Sequence, residues 1–273
     1  MKKLNYELIV SDCDGTLLND KNRIPENVQA AINEYVTAGG IFAVCTGRML
    51  RSILPCVRGL GLKGLVAAYQ GTVIADIVSG KIIRCGGISF EDAAEICKYL
   101  ESIKANINVY SDEVLYTNIN KNEKHLKLYE EITGVDAISV KSIKDMVLKN
   151  GKDCQKIACL VLPEERAELY NKIKSRFGDR FDVTCSAKVL VEISPYGSTK
   201  GEALKYLINH YGVDNKRSIA IGDNLNDMSM VEAAGLGVAV GNAVEELKEI
   251  ADFISVTNND GAVAQIIEKF GLV

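Results

Sequence analysis

Two aspartates directly follow an apolar run near the start of the chain. Residues 7–10 read as a buried strand, and Asp12 and Asp14 stand just beyond it. Carboxylates at the end of a buried strand are costly unless a cation or hydrogen bonds compensate them. In an open α/β sheet, this end of the strands is also where ligands bind. The placement predicts a cation among carboxylates, which is a common setting for chemistry on a phosphate group.

Three more polar residues lie where apolar or helical patterns begin or end. Residues 41–45 form an apolar run that leads into Thr46, and residues 218–221 lead into Asp223. Lys200 opens an amphipathic helical pattern. Each residue alone has an ordinary explanation, because Thr often caps helices, Asp is common in turns and lysines are mostly exposed. Their joint position around the ends of strands predicts one shared site.

Strand and helix patterns alternate along most of the chain, which predicts an α/β fold with a largely parallel sheet. The glycine pair at residues 86–87 is the first linker, and a second α/β domain begins there. We predict a core domain over residues 1–85 and 189–273 and an inserted domain over residues 86–188, with the second linker at 186–188. Two chain crossings of this kind permit a hinge between the domains.

The same patterns predict individual elements within the two domains. A strand over residues 189–193 is assigned to the core, and a helix over residues 200–211 follows it. Residues 73–84 are expected to form a hairpin. In the insert, one helix begins at Ser89, whose hydroxyl can cap it, and a charged helix covers residues 122–132.

The bulk composition narrows the classes of function. The chain has 273 residues, 47% of them hydrophobic, and its net charge of −4 without a basic block argues against nucleic acid as a partner. Its eight cysteines form no C-x-x-C pair and mostly lie in apolar runs, so we expect reduced, buried thiols in a cytoplasmic protein. No apolar run is long enough to span a membrane. Both histidines, His125 and His210, are expected to be exposed.

Four segments, taken in order, resemble the motifs of the haloacid dehalogenase (HAD) superfamily of phosphotransferases. The segments are Asp12-Cys13-Asp14-Gly15-Thr16, then Thr46, then Lys200, then Gly222-Asp223-Asn224-Leu225-Asn226-Asp227. The resemblance covers essentially the whole chain. The long gap between Thr46 and Lys200 is where the Cof-type sugar-phosphatase branch carries an α/β cap. The resemblance therefore implies a Rossmann-like, doubly wound core, with the insert as a cap that contacts the substrate.

Two positions depart from the pattern of that branch. Gln70 stands before a glycine where asparagine is usual, and Cys13 stands between the two acids where a larger apolar residue is commoner. Neither residue is expected to carry chemistry. Arg48, which follows the second motif, is left without an assigned role.

The resemblance implies a nucleophile, an acid–base group and a metal site. Asp12 would form an aspartyl-phosphate, and Asp14 would protonate the leaving alcohol and then activate water. The carboxylates of Asp12 and Asp223 and the backbone carbonyl of Asp14 would hold Mg²⁺. The cation would offset the repulsion between an anionic nucleophile and an anionic phosphoryl group.

The resemblance also implies a set of phosphate contacts. The Thr46 hydroxyl and the Gly47 backbone N–H would bind phosphate oxygens, and Asn226 would bind the phosphate or its aspartyl form. Lys200 would supply positive charge to the group in transfer. Asp227 would lie behind these residues and orient Lys200 or a water on the metal.

These assignments leave three functions open. The favoured one is a Mg²⁺-dependent phosphatase of small phosphorylated metabolites, with sugar phosphates as the preferred class. A phosphomutase would use the same aspartyl-phosphate but return the phosphoryl group to another hydroxyl. A non-enzymatic phosphoacceptor would keep the group, but it has no need of Asp14 as a hydrolytic acid–base. The sequence identifies neither the substrate nor the oligomeric state, and it is compatible with a monomer.

Overall fold

Three sheets organise the computed structural model, which describes residues 4–119, 126–127, 130, 134–187 and 189–272. Their strands are numbered in chain order as β1 Leu8–Ser11, β2 Ile41–Val44, β3 Leu65–Ala68, β4 Val73–Asp76, β5 Ile82–Cys85, β6 Asn106–Ser111, β7 Val114–Thr117, β8 Ala137–Ser139, β9 Lys156–Leu160, β10 Phe181–Ala187, β11 Leu190–Pro195, β12 Ser218–Gly222, β13 Leu236–Ala239 and β14 Phe253–Ile254.

Nine α-helices connect or follow these strands in the described part of the chain. They are α1 Glu26–Thr37, α2 Leu50–Gly59, α3 Phe90–Ser102, α4 Ile143–Asn150, α5 Arg166–Phe177, α6 Lys200–Tyr211, α7 Met228–Ala233, α8 Glu245–Ile250 and α9 Ala262–Ile266. A turn of π-helix over Ile267–Gly271 follows α9. The helix predicted over residues 122–132 lies largely outside the described residues.

The largest parallel sheet carries the strand ends at which chemistry was predicted. Its order is β14-β13-β12-β1-β2, and every neighbouring pair runs parallel. On one face, Val10 packs with Leu204 and Leu207 of α6. The alternate residue, Ile9, lies on the other face beside the π-helix, and α1 packs against the same segment. Helices therefore cover both faces, which confirms the predicted doubly wound α/β architecture.

A smaller sheet begins with β3, the strand that follows α2. Its order is β3-β4-β5, and β3 and β4 run antiparallel. The β4–β5 hairpin forms as predicted, because the Asp76 N–H donates to the Lys81 carbonyl at 2.9 Å. Ser79 completes the turn by donating its own backbone N–H to the Asp76 carboxylate at 2.7 Å.

Six strands form a third sheet in the order β10-β11-β9-β6-β7-β8. The neighbours are antiparallel except for the parallel pair β7 and β8. One face packs against α3, α4 and α5 through an apolar cluster that includes Ile107, Ile157 and Val191. Ser89 caps α3 as predicted, because its hydroxyl accepts the Asp92 N–H at 3.1 Å.

The chain divides into two units, which we call the first unit and the second unit. The first unit comprises Met1–Gly47, Ile53–Arg84 and Thr199–Val273. The second unit comprises Arg48–Ser52 and Cys85–Ser198, and it contains the six-stranded sheet.

The second boundary between the units differs from the predicted one. We assigned a strand over residues 189–193 to the core, but β11 pairs with β9 and β10 in the six-stranded sheet, so that assignment was wrong. The predicted linker at 186–188 was also wrong, because β10 extends to Ala187. An apolar pattern predicts that a strand forms, but its hydrogen-bonded partners lie far away in sequence and leave no local signal. The chain instead returns to the first unit after Ser198.

Several predictions from composition can be compared with the structure. Within the described ranges, we find no helix with the length and apolar character needed to cross a lipid bilayer. The eight cysteines all lie among the described residues and none forms a disulfide; Cys85 is exposed, while five others, including Cys13 and Cys45, are buried. His210 is exposed as expected, and His125 lies outside the described residues. The cytoplasmic location stays a prediction.

Candidate active site

Three neighbouring parallel strands bring the predicted motifs to one edge of the first unit. β12, β1 and β2 are adjacent, with Ser11 paired to Ile221 and to Val44. Asp12 follows β1 directly, and its N–H donates to the Ile221 carbonyl at 2.9 Å. Because parallel strands end at the same edge, the loops that follow these strands meet there.

Lys200 joins two of these loops through its side chain. It is the first residue of α6, and its side chain is buried, with 1% of the residue exposed. Its Nζ donates to Asp12 Oδ1 and, at 2.6 Å, to Asp227 Oδ1. Thr199 fixes the start of this helix, because its hydroxyl accepts the Glu202 N–H at 3.3 Å. The helix start thus aims a cation at the aspartate that we predicted as nucleophile.

Asp227 holds both Lys200 and the loop that follows β12. Its Oδ1 accepts from Lys200, while its Oδ2 accepts the backbone N–H groups of Asp223 and Asn224, each at 3.0 Å. The carboxylate is fully buried, so these hydrogen bonds offset the cost of its desolvation. Asp227 thus contacts Lys200 directly, which one of the two roles implied by the resemblance requires, and the role itself stays a prediction.

The Asp223 carboxylate packs against the turn that follows β1. The Thr16 hydroxyl donates to Asp223 Oδ1 at 3.0 Å. Gly15 has φ +77°, and a Cβ at this position would stand 2.7 Å from Asp223 Oδ2. Only glycine satisfies both conditions without strain. The Asn242 amide steadies the same turn by donating to the Gly15 carbonyl at 2.8 Å.

Three carboxylates gather at this edge with an excess of negative charge. Oxygens of Asp12, Asp223 and Asp227 all lie within 4.8 Å of one another. Burial raises the pKa of Asp12 well above its usual value, and the neighbouring aspartates add to the shift while Lys200 opposes it. Burial likewise raises the pKa of Asp223, to about 6, and Asp227 adds to that shift. Lys200 compensates one of the three charges, so the cluster favours a further cation.

The first thiol beyond β2 also borders this cluster. Burial raises the pKa of Cys45 to about 12, so it stays a neutral thiol. Cys13 and Cys45 are both buried, as expected for packed thiols.

Hydrogen bonds connect the loop after β2 to β3 and to the turn that follows β3. Thr46 is buried, its N–H donates to the Ala67 carbonyl at 2.9 Å and its own carbonyl accepts the Gln70 N–H at 2.9 Å. The Gln70 side chain lies against Gly47, because a Cβ on that glycine would stand 2.7 Å from Gln70 Nε2. Asn226 Nδ2 donates to Gln70 Oε1 at 3.1 Å. Gln70 thus contacts both Gly47 and Asn226.

The structure brings together some predicted residues by direct contact and others by position. Asp12, Lys200 and Asp227 are hydrogen-bonded, and Asp223 stands beside them. Asp14 lies two residues beyond Asp12, but its side chain is exposed and its carboxylate is not part of the cluster of three. This is compatible with its predicted metal contact through the backbone carbonyl, and its catalytic role stays a prediction.

Sequence reasoning missed three residues that shape the site. Thr16 and Asn242 hold the turn after β1, and Gln70 links Gly47 to Asn226. Thr16 belongs to the first motif and could have been selected on that ground. Gln70 was visible only as a departure from the pattern of the family branch, and Asn242 gives no signal, because the contacts of both depend on loops that meet only in the folded chain.

Comparison with known proteins identifies one family of hydrolases. A model for haloacid dehalogenase-like hydrolases matches residues 9–267. Phosphatase YwpJ of Bacillus subtilis is 30% identical over 96% of this chain and 99% of its own length. The 5-amino-6-(5-phospho-D-ribitylamino)uracil phosphatase YwtE of the same organism is 29% identical over 96% of each chain.

A solved structure extends the likeness to the fold. The crystal structure of TM0651 from Thermotoga maritima superposes with a TM-score of 0.81 at 31% identity, covering 97% of each chain. The similarity therefore includes both units of this chain.

Proposed function

This chain belongs to the haloacid dehalogenase-like hydrolases, and we propose that it is a Mg²⁺-dependent phosphatase that hydrolyses small phosphorylated metabolites through an aspartyl-phosphate on Asp12. The observation that carries the proposal is the hydrogen bond from buried Lys200 to Asp12, next to Asp223, at the carboxyl edge of the parallel sheet. This arrangement combines an anionic nucleophile with the positive charge that a phosphoryl group in transfer requires.

The first chemical step transfers the phosphoryl group to the protein. A carboxylate oxygen of Asp12 attacks phosphorus, and the bond from phosphorus to the ester oxygen breaks. Asp14 donates its proton to the departing oxygen, which leaves as an alcohol. Lys200 faces the carboxylate that attacks, so its charge offsets the negative charge of both partners.

The second step hydrolyses the aspartyl-phosphate. Asp14, now ionised, takes a proton from water, and the water oxygen attacks phosphorus while the bond to Asp12 breaks. Inorganic phosphate leaves, and Asp12 and Asp14 return to their starting states. We assign the phosphate oxygens to the Thr46 hydroxyl, the Gly47 N–H and the Asn226 amide, whose loops lie at this edge.

The donor set at this edge suits Mg²⁺. The three clustered carboxylates carry more negative charge than Lys200 compensates, and oxygen donors are the ligands that Mg²⁺ prefers. Asp227 already accepts three hydrogen bonds, so we assign the metal to Asp12, Asp223 and the backbone carbonyl of Asp14. When bound, the cation supplies charge neutralisation between nucleophile and substrate.

We propose that the second unit selects the part of the substrate beyond the phosphate. The face of its six-stranded sheet opposite α3, α4 and α5 carries a polar row, with Asn108 and Glu192 both in register with Ala158. Asn108 is fully buried, yet neither atom of its amide has a hydrogen-bond partner among the described residues. Buried unpaired amides are rare, and a hydroxyl-bearing ligand would satisfy this one.

The relatives bear on the substrate class. The name of YwtE specifies a phosphorylated ribityl group, which is a small polyol phosphate. The Asn108 amide offers a donor and an acceptor without partners among the described residues, which fits a leaving group that carries hydroxyls, so sugar and polyol phosphates are the class we favour.

The test is phosphate release from a panel of phosphorylated sugars, polyols, nucleotides and cofactors, with Mg²⁺ and with EDTA. We expect Mg²⁺-dependent release that Asp12→Asn abolishes, because an amide is a poor nucleophile, while Asp179→Asn, a matched change at an exposed aspartate, leaves it intact. Release by Asp12→Asn at the wild-type rate would contradict the assignment of the nucleophile. Transfer of phosphate between hydroxyls without release would indicate a phosphomutase instead.

A separate experiment tests whether the second unit selects among substrates. Asn108→Leu keeps the approximate volume of the side chain but removes its hydrogen-bonding atoms. We expect kcat/KM for the preferred polyol phosphate to fall about tenfold or more, and that for p-nitrophenyl phosphate, which lacks hydroxyls on its leaving group, to change little. An equal loss on both substrates would argue that Asn108 serves the fold.

A further inference from the structure

Gln70 occupies a backbone conformation that glutamine rarely adopts. Its φ is 60° and its ψ is 20°, and its neighbour Tyr69 also has a positive φ of 51°. For residues other than glycine and asparagine, the left-handed region is strained. Strain of this kind persists where surrounding contacts fix it and often marks functional sites.

The contacts of Gln70 connect two predicted phosphate-binding loops. The residue is 5% exposed, its N–H donates to the Thr46 carbonyl at 2.9 Å, and its Oε1 accepts from Asn226 Nδ2 at 3.1 Å. Its Nε2 lies so close to Gly47 that a Cβ there would stand at 2.7 Å. The side chain therefore spans from the loop after β2 to the loop after β12.

We propose that Gln70 is a positioning residue for phosphate binding, and this proposal rests on the proposed function. The side-chain oxygen Oε1 of Gln70 accepts a hydrogen bond from one N–H of the Asn226 amide and so fixes the plane of that amide. An amide nitrogen carries two N–H groups, so the second stays available for a phosphate oxygen. Asn226 Oδ1 is buried and has no hydrogen-bond partner among the described residues, so the contact with Gln70 is what orients this side chain.

Two substitutions separate the amide of Gln70 from the strain of its backbone. Gln70→Met keeps the length and volume of the side chain but removes the amide, and the strained φ remains. Gln70→Gly removes the amide and also relieves the strain, because glycine adopts a φ of 60° freely. We expect both variants to lower kcat/KM for p-nitrophenyl phosphate with Mg²⁺ by about tenfold, whereas Gln70→Gly does not lower the Tm.

A double-mutant cycle tests whether Gln70 acts through Asn226. We expect Gln70→Met to cost about tenfold in the wild type and less than twofold in the Asn226→Ala background, because the residue that it orients is then absent. The control is Gln29→Met, at an exposed glutamine of α1, which should leave kcat/KM unchanged. A role in folding alone would lower the Tm and would cost the same in both backgrounds.

The affinity of the same four proteins for inorganic phosphate provides a second readout of the cycle, and it is measured as the phosphate-dependent rise in Tm. If the wild type hydrolyses nothing, the proposed function fails, and the phosphate affinities still decide on Gln70. Equal losses in the two Asn226 backgrounds, or wild-type phosphate affinity in Gln70→Gly, would overturn the proposal.

Discussion

Asp14 differs in its surroundings from Asp12, two residues before it. The Asp12 side chain is buried and bonded to Lys200, whereas the Asp14 side chain is exposed. A group that takes protons from water and gives them to a leaving alcohol needs access to both. The exposure of Asp14 therefore suits an acid–base role, and the burial of Asp12 suits a nucleophile held in one orientation.

The role of Asp14 predicts a different defect on different substrates. For Asp14→Asn, we expect alkyl phosphates to react about 10²–10⁴-fold more slowly, because both steps lose their acid–base. With p-nitrophenyl phosphate, the leaving group needs no proton, so a burst of p-nitrophenol should precede a slow phase in which Asp12 stays phosphorylated. Rapid-quench kinetics and the mass of the intact protein measure both. Equal slowing on the two substrates without a burst would contradict water activation by Asp14.

The raised pKa of Asp223 predicts how pH controls metal binding. Its pKa of about 6 exceeds the ordinary 3.8, so between these values the folded protein binds a proton that the unfolded chain has released. The metal-free protein therefore loses stability as pH rises through this window. Above pH 6 the ionised carboxylate favours a cation, so the rise in Tm caused by Mg²⁺ should be larger at pH 7.5 than at pH 5. Thermal unfolding with Mg²⁺ and with EDTA at both values measures this.

Asp223→Asn provides the control for that pH dependence. The variant should lose most of the stabilisation by Mg²⁺ at pH 7.5, and its metal-free form should be at least as stable as the wild type there, because one buried negative charge is gone. If the effect of Mg²⁺ were the same at pH 5 and pH 7.5 in the wild type, Asp223 would not be a ligand that titrates in this range.

At the scale of elements, much of the site could be predicted because strand ends are visible in the sequence. The runs before Asp12, Thr46 and Asp223 are apolar, and adjacent parallel strands bring their ends together. Lys200 was predictable as the first residue of a helix, since Thr199 caps it locally. Local patterns were sufficient for these residues because each sits at the boundary of a regular element.

Contacts that join distant elements could not be predicted in this way. Lys156 begins β9 and Glu192 lies in β11, and in the sequence both resemble exposed charges on strands. In the structure they are 4% and 1% exposed and form an ion pair of 2.6 Å. Burial acts to lower the pKa of Lys156, but the combined effects of Glu192 and Tyr110 exceed it, so the pKa of the lysine is raised. Only the pairing of β11 with β9 brings the two side chains together.

This ion pair predicts an asymmetric response to substitution. Glu192→Met alone should destabilise the protein by about 3–5 kcal/mol, because it leaves the Lys156 ammonium buried without its partner. Lys156→Met combined with Glu192→Met should recover most of that loss, since no buried charge remains. Urea unfolding of the single and double variants provides the free energies. If the double variant lost as much free energy of unfolding as the two single variants together, each residue would stabilise the protein through its other contacts and not through the ion pair.

At the scale of the whole molecule, the corrected boundary changes where the chain can be divided. A cut at residue 188 leaves β11 in the remaining chain without its neighbours β9 and β10. Val191 and Ile193 of this strand are fully buried in the six-stranded sheet, so they would become exposed. Deletion of Cys85–Ser198 instead removes the complete sheet and follows the division between the two units.

The two deletions therefore have different expected outcomes when a short Gly/Ser linker replaces the removed residues. Deleting 86–188 should give aggregation, because each exposed apolar side chain forfeits about 1.5–3 kcal/mol of burial and leaves an unpaired strand edge. Deleting 85–198 should give a protein that unfolds cooperatively, is stabilised by Mg²⁺ and hydrolyses p-nitrophenyl phosphate without preference among leaving groups. Size-exclusion chromatography and binding of a hydrophobic dye distinguish the two variants. Equal behaviour of both would mean that β11 is not an integral part of the second unit, and retained selectivity would remove substrate choice from that unit.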